Sequence, residues 1–167
     1  RAVAALEDAG ARVAERPLPG WDPSRARRAG LLWTEAEGAA VLADLRETPG
    51  ALSPGFAALL DYGARAPSAK LVEAAARMRA AAAAAHRALG EADVLLLPTA
   101  PQRAFRFGDP IPADQADLTA LANFAGLPAV ALPVTVPGLP VSVQLIGPAW
   151  SEARLTEWAE LLAPRLA

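Results

Sequence analysis

Two short segments near the carboxyl end of the chain alternate apolar and polar residues, and only four residues separate them. On one face they carry branched apolar side chains: Val130, Leu132, Val134, Val136, Val141, Val143 and Leu145. Successive side chains of a strand point to opposite faces, so residues 129–136 and 141–146 are predicted strands. The connection Pro137-Gly138-Leu139-Pro140 is short enough for a hairpin. The apolar face of this hairpin needs a covering layer, which constrains the rest of the fold.

A third strand is predicted at residues 94–97, where a continuous apolar run ends at Pro98. A fourth is predicted at residues 11–16, because a helix closed by Gly10 precedes it, as in the second half of a βαβ crossover. Periodicity and capping residues predict helices at residues 2–9, 22–47, 53–62, 68–89, 118–125 and 151–164. We therefore expect an α/β fold with a helix-covered mixed sheet of about four strands.

Composition excludes several classes of function. The chain has 167 residues, no cysteine, one histidine and a formal net charge of −2. These counts exclude thiolate chemistry and a multi-histidine metal site, and they argue against nucleic-acid binding. The apolar runs are too short for a membrane span, and no signal peptide is recognisable, so a cytoplasmic protein without metal or cofactor is expected. The chain begins at Arg1 inside a predicted helix, which suggests a piece of something longer.

No catalytic arrangement is evident among the chemically capable side chains. Most serines stand where helices are predicted to start, so capping is the favoured interpretation of Ser24, Ser53, Ser68 and Ser151. His86 and Lys70 lie on the long predicted helix and are interpreted as solvated residues. Acidic residues gather before the next helix, at Asp109, Asp114 and Asp117. They are suited to acid–base chemistry or metal binding, but capping of that helix is favoured.

Five motifs occur in a recognisable order in the second half of the chain: residues 91–101 (EADVLLLPTAP), 118–129 (LTALANFAGLPA), 132–133 (LP), 138–141 (GLPV) and 144–147 (QLIG). This order closely resembles the C-terminal part of the amidase signature family. The stretch from Gly63 to Arg79 and the opening residues 6–19 are also similar to that family. The resemblance thus covers nearly the whole chain. It implies that residues 1–167 are the C-terminal portion of an amidase domain. Residues 1–67 would be a helical linker region, and residues 68–167 would hold the helix, buried strand, hairpin and final helix.

The resemblance implies hydrolysis of carbon–nitrogen amide bonds by a serine, a second serine in a cis peptide and a lysine. These lie in the N-terminal portion of the family and have no counterpart here, so no residue of this chain is expected to be catalytic. Residues expected to line the substrate pocket or support the motifs are Thr99, Asp117, Thr119, Asn123 and Gln144. Thr99 ends a buried strand, where α/β sheets bind ligands. Fixing loop geometry is the favoured role for Thr99 and Asn123.

More specific predictions attach to two of these residues. Asn123 is placed to hydrogen bond the backbone of the turn at residues 98–101, and the Gln144 amide needs a hydrogen-bond partner in its apolar strand. The expected partner of the whole chain is the N-terminal catalytic portion of the same protein, or a second copy bound through exposed sheet surface.

Four alternatives remain open. The chain is either a C-terminal fragment of an amidase, or a free-standing non-catalytic module that self-associates, or a fragment of a glutamyl-tRNA amidotransferase A-type subunit. The last is disfavoured, because Ala116 stands where those subunits carry an acid, and Ala58 and Leu59 stand where they carry paired arginines. An independent hydrolase using His86 with Ser68 or the acidic cluster is the remaining possibility.

Overall fold

The computed structural model describes residues 1–139 and 141–167. In chain order, its helices and strands are α1 (Ala2–Asp8), α2 (Pro23–Val41), α3 (Ala43–Glu47), α4 (Pro54–Ala64), α5 (Ser68–Leu89), β1 (Leu95–Pro98), α6 (Ala120–Ala125), β2 (Ala129–Val134), β3 (Val141–Ile146) and α7 (Glu152–Leu166). The α/β class is therefore confirmed.

The sheet has the strand order β1-β3-β2, and both pairings are antiparallel. The predicted hairpin of β2 and β3 is confirmed, with Val134 opposite Val141. Pro140, in the turn predicted for residues 137–140, lies outside the described residues. The mixed sheet of about four strands is wrong for the described part of the chain, because residues 11–16 form no strand. These residues are exposed, and no strand of the described structure lies beside them to provide the pairing that a strand needs.

Helices pack against both faces of the sheet but leave Ala129, Ala131 and Pro133 of β2 exposed. On one face, α1 and α7 pack over a core formed by Ala5, Leu132, Val134, Leu145, Leu155, Ala159, Leu162 and Leu166. On the other face, α5 and α6 pack with α2 over Ala26, Ala81, Ala85, Leu95, Leu121, Ala122, Leu127 and Ile146. The second core consists largely of alanine on its helical side, which lets α5 lie close to its neighbours.

Glycine permits two further close approaches that set the position of α2. A Cβ atom at Gly63 of α4 would overlap the backbone of Glu35 and Ala36 of α2. A Cβ atom at Gly30 of α2 would lie 2.6 Å from the ring of Phe124 of α6. Helix α2 is thereby held between α4 and α6.

Helix capping follows the prediction at some starts only. Asp22 caps α2 by accepting from the Arg25 N–H at 2.9 Å, and Ser53 accepts from the Phe56 N–H at the start of α4. Ser68 is instead the first residue of α5, whose N-cap Pro67 makes no side-chain bond. Ser151 precedes α7, but its hydroxyl donates to the Pro148 carbonyl. The single helix predicted for residues 22–47 is divided at Leu42 into α2 and α3.

Candidate functional site

Three polar side chains share one face of the sheet where β1 ends. Leu97 of β1 pairs with Gln144 of β3, and the Thr99 N–H donates to the Ser142 carbonyl at 2.9 Å. Residues opposite each other across a ladder project to the same face, and so do alternate residues along one strand. Thr99, Ser142 and Gln144 therefore form a polar strip, which is the candidate functional site.

Gln144 is fixed within the polar strip. The residue is 3% exposed, and its Nε2 donates to the Pro98 carbonyl at 3.2 Å. The expectation that this amide needs a partner is confirmed. The bond ties the last residue of β1 to β3, at the point where proline ends the strand.

Thr99 contributes a hydroxyl that the described chain leaves unsatisfied. Its Oγ1 is buried without a hydrogen-bond partner, and the same is true of Oε1 of the nearby Gln102. A buried polar atom left unpaired costs about 1–3 kcal/mol. A polar group of another surface that hydrogen bonds these atoms at the end of β1 would therefore be stabilising.

The same face continues onto β2 as an open strip of small residues. Ala131 pairs with Gln144 and Pro133 pairs with Ser142, so both lie beside the polar strip. Both are exposed, as is Ala129. Strand β2 is also an edge of the described sheet. The small side chains leave room for another surface to approach the sheet closely.

Asp117 belongs to a different cluster, which joins α6 to α2. Asp117 is 6% exposed, and its carboxylate accepts from the Ser24 hydroxyl at 2.5 Å and lies 2.5 Å from Nε of Arg27. Asp117 therefore does not cap α6, contrary to the favoured interpretation, and it joins no group of potential metal ligands among the described residues. Ser24 was interpreted as a helix cap, but Asp22 caps α2 and the Ser24 hydroxyl donates to Asp117 instead. Neither Ser24 nor Arg27 could be assigned to Asp117 from the sequence, because only the packing of α2 against α6 brings them together.

Thr119 and Asn123 do not join the polar strip through side-chain bonds. Thr119 is the N-cap residue of α6, and its side chain makes no capping bond. Asn123 is exposed, and within the described residues its side chain does not form the predicted hydrogen bond to the turn at residues 98–101. Its carbonyl instead accepts from Gly126 N–H, where the left-handed Gly126 ends the helix.

Apart from Asp117, the basic and acidic groups considered for catalysis make no hydrogen bond to a serine hydroxyl among the described residues. Nε2 of His86 lies 3.0 Å from the Ala125 carbonyl, which links α5 to the end of α6. Lys70 is exposed in the first turn of α5. Asp109 accepts from the Arg106 N–H, and the Asp114 carbonyl accepts from the Asp117 N–H. These contacts are structural and assemble no nucleophile–base pair in the part of the chain described.

Three carboxyl groups have shifted pKa values. The hydrogen bond from Arg46 lowers the pKa of Asp61, and the bond from Arg77 lowers the pKa of Glu73. Partial burial raises the pKa of Glu35. Glu35 and Glu73 both line a groove between α2 and α5.

Comparison with known proteins gives a consistent result. The amidase family model matches residues 1–156. Curated relatives include the A-type subunit of the glutamyl-tRNA(Gln) amidotransferase of Campylobacter fetus subsp. fetus, 47% identical over 70 residues that cover 38% of this chain and 16% of that protein. The corresponding protein of Synechococcus sp. is 49% identical over 74 residues, or 40% of this chain and 15% of that protein.

Solved structures show the same fold. A crystallised amidase superposes with a TM-score of 0.81 at 26% identity, covering 99% of this chain and 41% of that one. A bacterial aryl acylamidase of the amidase signature family superposes with a TM-score of 0.77 at 16% identity, covering 97% of this chain and 41% of that one. The chain therefore spans well under half the length of these relatives. None of the helices described is long and apolar enough to cross a membrane.

Proposed function

Because this chain belongs to the amidase family, we propose that it forms the C-terminal portion of an amide hydrolase and is not catalytic alone. One observation carries this proposal. The family model matches residues 1–156, nearly the whole chain, yet the chain covers only 41% of a crystallised amidase and 16% of a curated relative. The similarity is thus continuous through this chain but accounts for a minor part of its relatives.

The chemistry available within the chain supports the same proposal. Amide hydrolysis by a serine needs a base that removes the hydroxyl proton. Lys70 and His86 are the only lysine and histidine in the sequence, and neither hydrogen bonds a serine hydroxyl in the described structure. A nucleophile and its base would therefore come from another portion of the protein, as the resemblance to amidase signature enzymes implies.

The polar strip supports a partner for the chain at the sheet. Thr99 Oγ1 has no hydrogen-bond partner among the described residues, and Ala131 and Pro133 are exposed on the same face. An edge strand with an open face is a surface that proteins pair or cover. We propose that the catalytic portion of the same protein covers it. Thr99 and Gln144 would then support the substrate pocket from the side of this chain, while Asp117, Thr119 and Asn123 would support the motif geometry around α6.

A second candidate is the glutamyl-tRNA amidotransferase A-type subunit. The supporting observation is sequence similarity: the two curated relatives described above are such subunits, and they are 47% and 49% identical to this chain over the matched segments. Ala116, where an acidic residue is expected, argues against it. Measurement of glutaminase and simple amidase activity on the longer protein separates the two: glutamine hydrolysis together with transfer to a tRNA-bound substrate favours the amidotransferase.

The third candidate is a non-catalytic module that self-associates through its open sheet face. Sedimentation of the purified chain decides it. A dimer that dissociates when Ala131→Arg is introduced on the exposed face supports self-association, whereas a monomer across the micromolar range rules it out. A cytoplasmic location also remains part of our proposal, and cell fractionation tests it.

The decisive experiment for the main proposal starts from the nucleotide sequence upstream of Arg1. We expect an open reading frame that encodes two serines and a lysine in the family arrangement. The longer product should hydrolyse p-nitroacetanilide or another simple amide, and the 167-residue chain should not. A start codon immediately before Arg1, with no catalytic portion encoded, would overturn the proposal. Hydrolysis by the short chain that His86→Ala abolishes would instead support the independent hydrolase.

A further inference from the structure

A groove of about 620 Å³ lies between α2 and α5, with Tyr62 of α4 at its rim. Its volume falls within the range of small-molecule sites. Ala29 and Ala74 are buried and form its floor, while Leu31 and Tyr62 are about half exposed at its sides. The groove therefore offers apolar surface of the kind that a small organic ligand covers.

Positive charge predominates around this groove. Four cationic side chains line it, against two carboxylates: Arg25, Arg28, Lys70 and Arg77 against Glu35 and Glu73. Two of the cations are engaged in exposed pairs, Arg25 with Asp22 at 3.4 Å and Arg77 with Glu73 at 2.5 Å. Exposed pairs of this kind are weak and rearrange readily.

Arg28 and Lys70 are the cations best placed to receive a ligand. Neither takes part in an ion pair within the described chain. Both are exposed, and they approach the groove from different helices, α2 and α5. Lys70 acts on Glu73 only through its field, which adds to the lowering of the pKa of that carboxyl.

We propose that this groove binds a small organic carboxylate. Its apolar body would cover Ala29, Leu32 and Ala74, and its carboxylate would lie between Arg28 and Lys70. The proposal does not depend on amide hydrolysis, so its failure would leave the family assignment untouched.

The test is calorimetric titration of the 167-residue chain with 4-phenylbutyrate at low ionic strength. Two parallel arms use 4-phenylbutan-1-ol, which keeps the apolar body, and inorganic phosphate, which keeps only the negative charge. We expect 4-phenylbutyrate to bind about tenfold more tightly than either. The double variant Arg28→Ala/Lys70→Ala should lose about tenfold in affinity.

A matched double variant controls for net charge. Arg12 and Arg79 are exposed and do not line the groove, so Arg12→Ala/Arg79→Ala should retain full affinity. Circular dichroism confirms that each variant is folded, and the single variants Arg28→Gln and Lys70→Gln repeat the test with milder changes. The proposal is overturned if 4-phenylbutyrate gives no saturable heat at millimolar concentration. Equal binding of the alcohol or of phosphate also overturns it, and so does an equal loss in the control variant.

Discussion

Nε of Arg27 lies 2.5 Å from Oδ1 of Asp117, and the two side chains retain only 12% and 8% of their exposure to solvent. The pair joins the first turns of α2 to the turn that leads into α6, and the Ser24 hydroxyl donates to the second carboxylate oxygen. Two charges removed from water are stabilising only when each keeps its partner. This cluster therefore makes the position of α2 sensitive to any change in either residue.

Removal of one partner should be costly. We expect Asp117→Ala to lower the free energy of unfolding by about 3 kcal/mol, because Arg27 is left buried without a counter-charge. Urea denaturation followed by circular dichroism measures the loss. The control is Glu73→Ala, which breaks an exposed pair on α5 and should have a much smaller effect.

The same cluster allows a sharper test of whether the charges themselves are needed. The double change Arg27→Met/Asp117→Leu replaces the ion pair by apolar side chains of similar size and should recover most of the stability lost in Asp117→Ala. If the double variant is no more stable than the single one, the cluster acts through more than its ion pair.

Close packing at Gly63 gives a second prediction. Any Cβ atom there overlaps the backbone of Glu35 and Ala36, so Gly63→Ala must push α4 away from α2. We expect a loss of about 1–3 kcal/mol in unfolding free energy. At Gly55 of the same helix, an added Cβ atom would meet no other atom within 4 Å, so Gly55→Ala should be neutral or stabilising by about 0.5–1 kcal/mol. Equal effects of the two changes would contradict the packing argument.

Hydrophobic periodicity and capping residues were enough to predict most helices and strands, but not how these elements pack and pair. The periodicity of residues 141–146 and the capping residues Asp22 and Ser53 lie in the sequence itself, so β3 and the starts of α2 and α4 were predictable. The strand at residues 11–16 was predicted from the helix and the Gly10 that precede it, yet no strand of the described structure lies beside these residues. Strand formation requires a partner, which short-range pattern does not report.

The candidate site shows the same division. A hydrogen-bond partner for the Gln144 amide was predicted, since a buried amide needs one, although the sequence did not identify the Pro98 carbonyl as that partner. The Asp117 cluster was not, because Ser24 and Arg27 lie 93 and 90 residues away along the chain. Their approach depends on how α2 packs against α6, where Gly30 admits the ring of Phe124.

The exposed pair of Asp61 and Arg46 predicts a pH dependence. The hydrogen bond from Arg46 Nη2, 2.7 Å long, lowers the pKa of Asp61 below its value in the unfolded chain. The pair therefore contributes its full stabilisation above the unfolded pKa, near pH 4, and loses it as the pH falls through the lowered pKa of the folded state. Asp61→Asn should lower the thermal unfolding midpoint slightly at pH 7 and leave it unchanged near pH 2. Asp8→Asn, at an exposed aspartate that forms no ion pair with the described residues, should change the midpoint at neither pH.

The last prediction concerns the unsatisfied hydroxyl of Thr99. Valine has nearly the same shape as threonine but no hydroxyl, so Thr99→Val removes a buried atom that has no partner in the described chain. We expect the 167-residue variant to be as stable as the parent or more stable by about 1 kcal/mol. In a longer protein that carries the catalytic portion, the same change should reduce amide hydrolysis, because the hydroxyl would then bond across the interface.

Comparing Thr99→Val in the 167-residue chain and in the longer protein distinguishes a structural role of the hydroxyl from a functional one. Ser142→Ala, on the same face but with its backbone carbonyl still bonded to Thr99, serves as the matched control. A loss of stability in the short Thr99→Val chain would show that the hydroxyl is already satisfied within it. Unchanged activity of the long variant would show that the polar strip takes no part in assembling the substrate pocket.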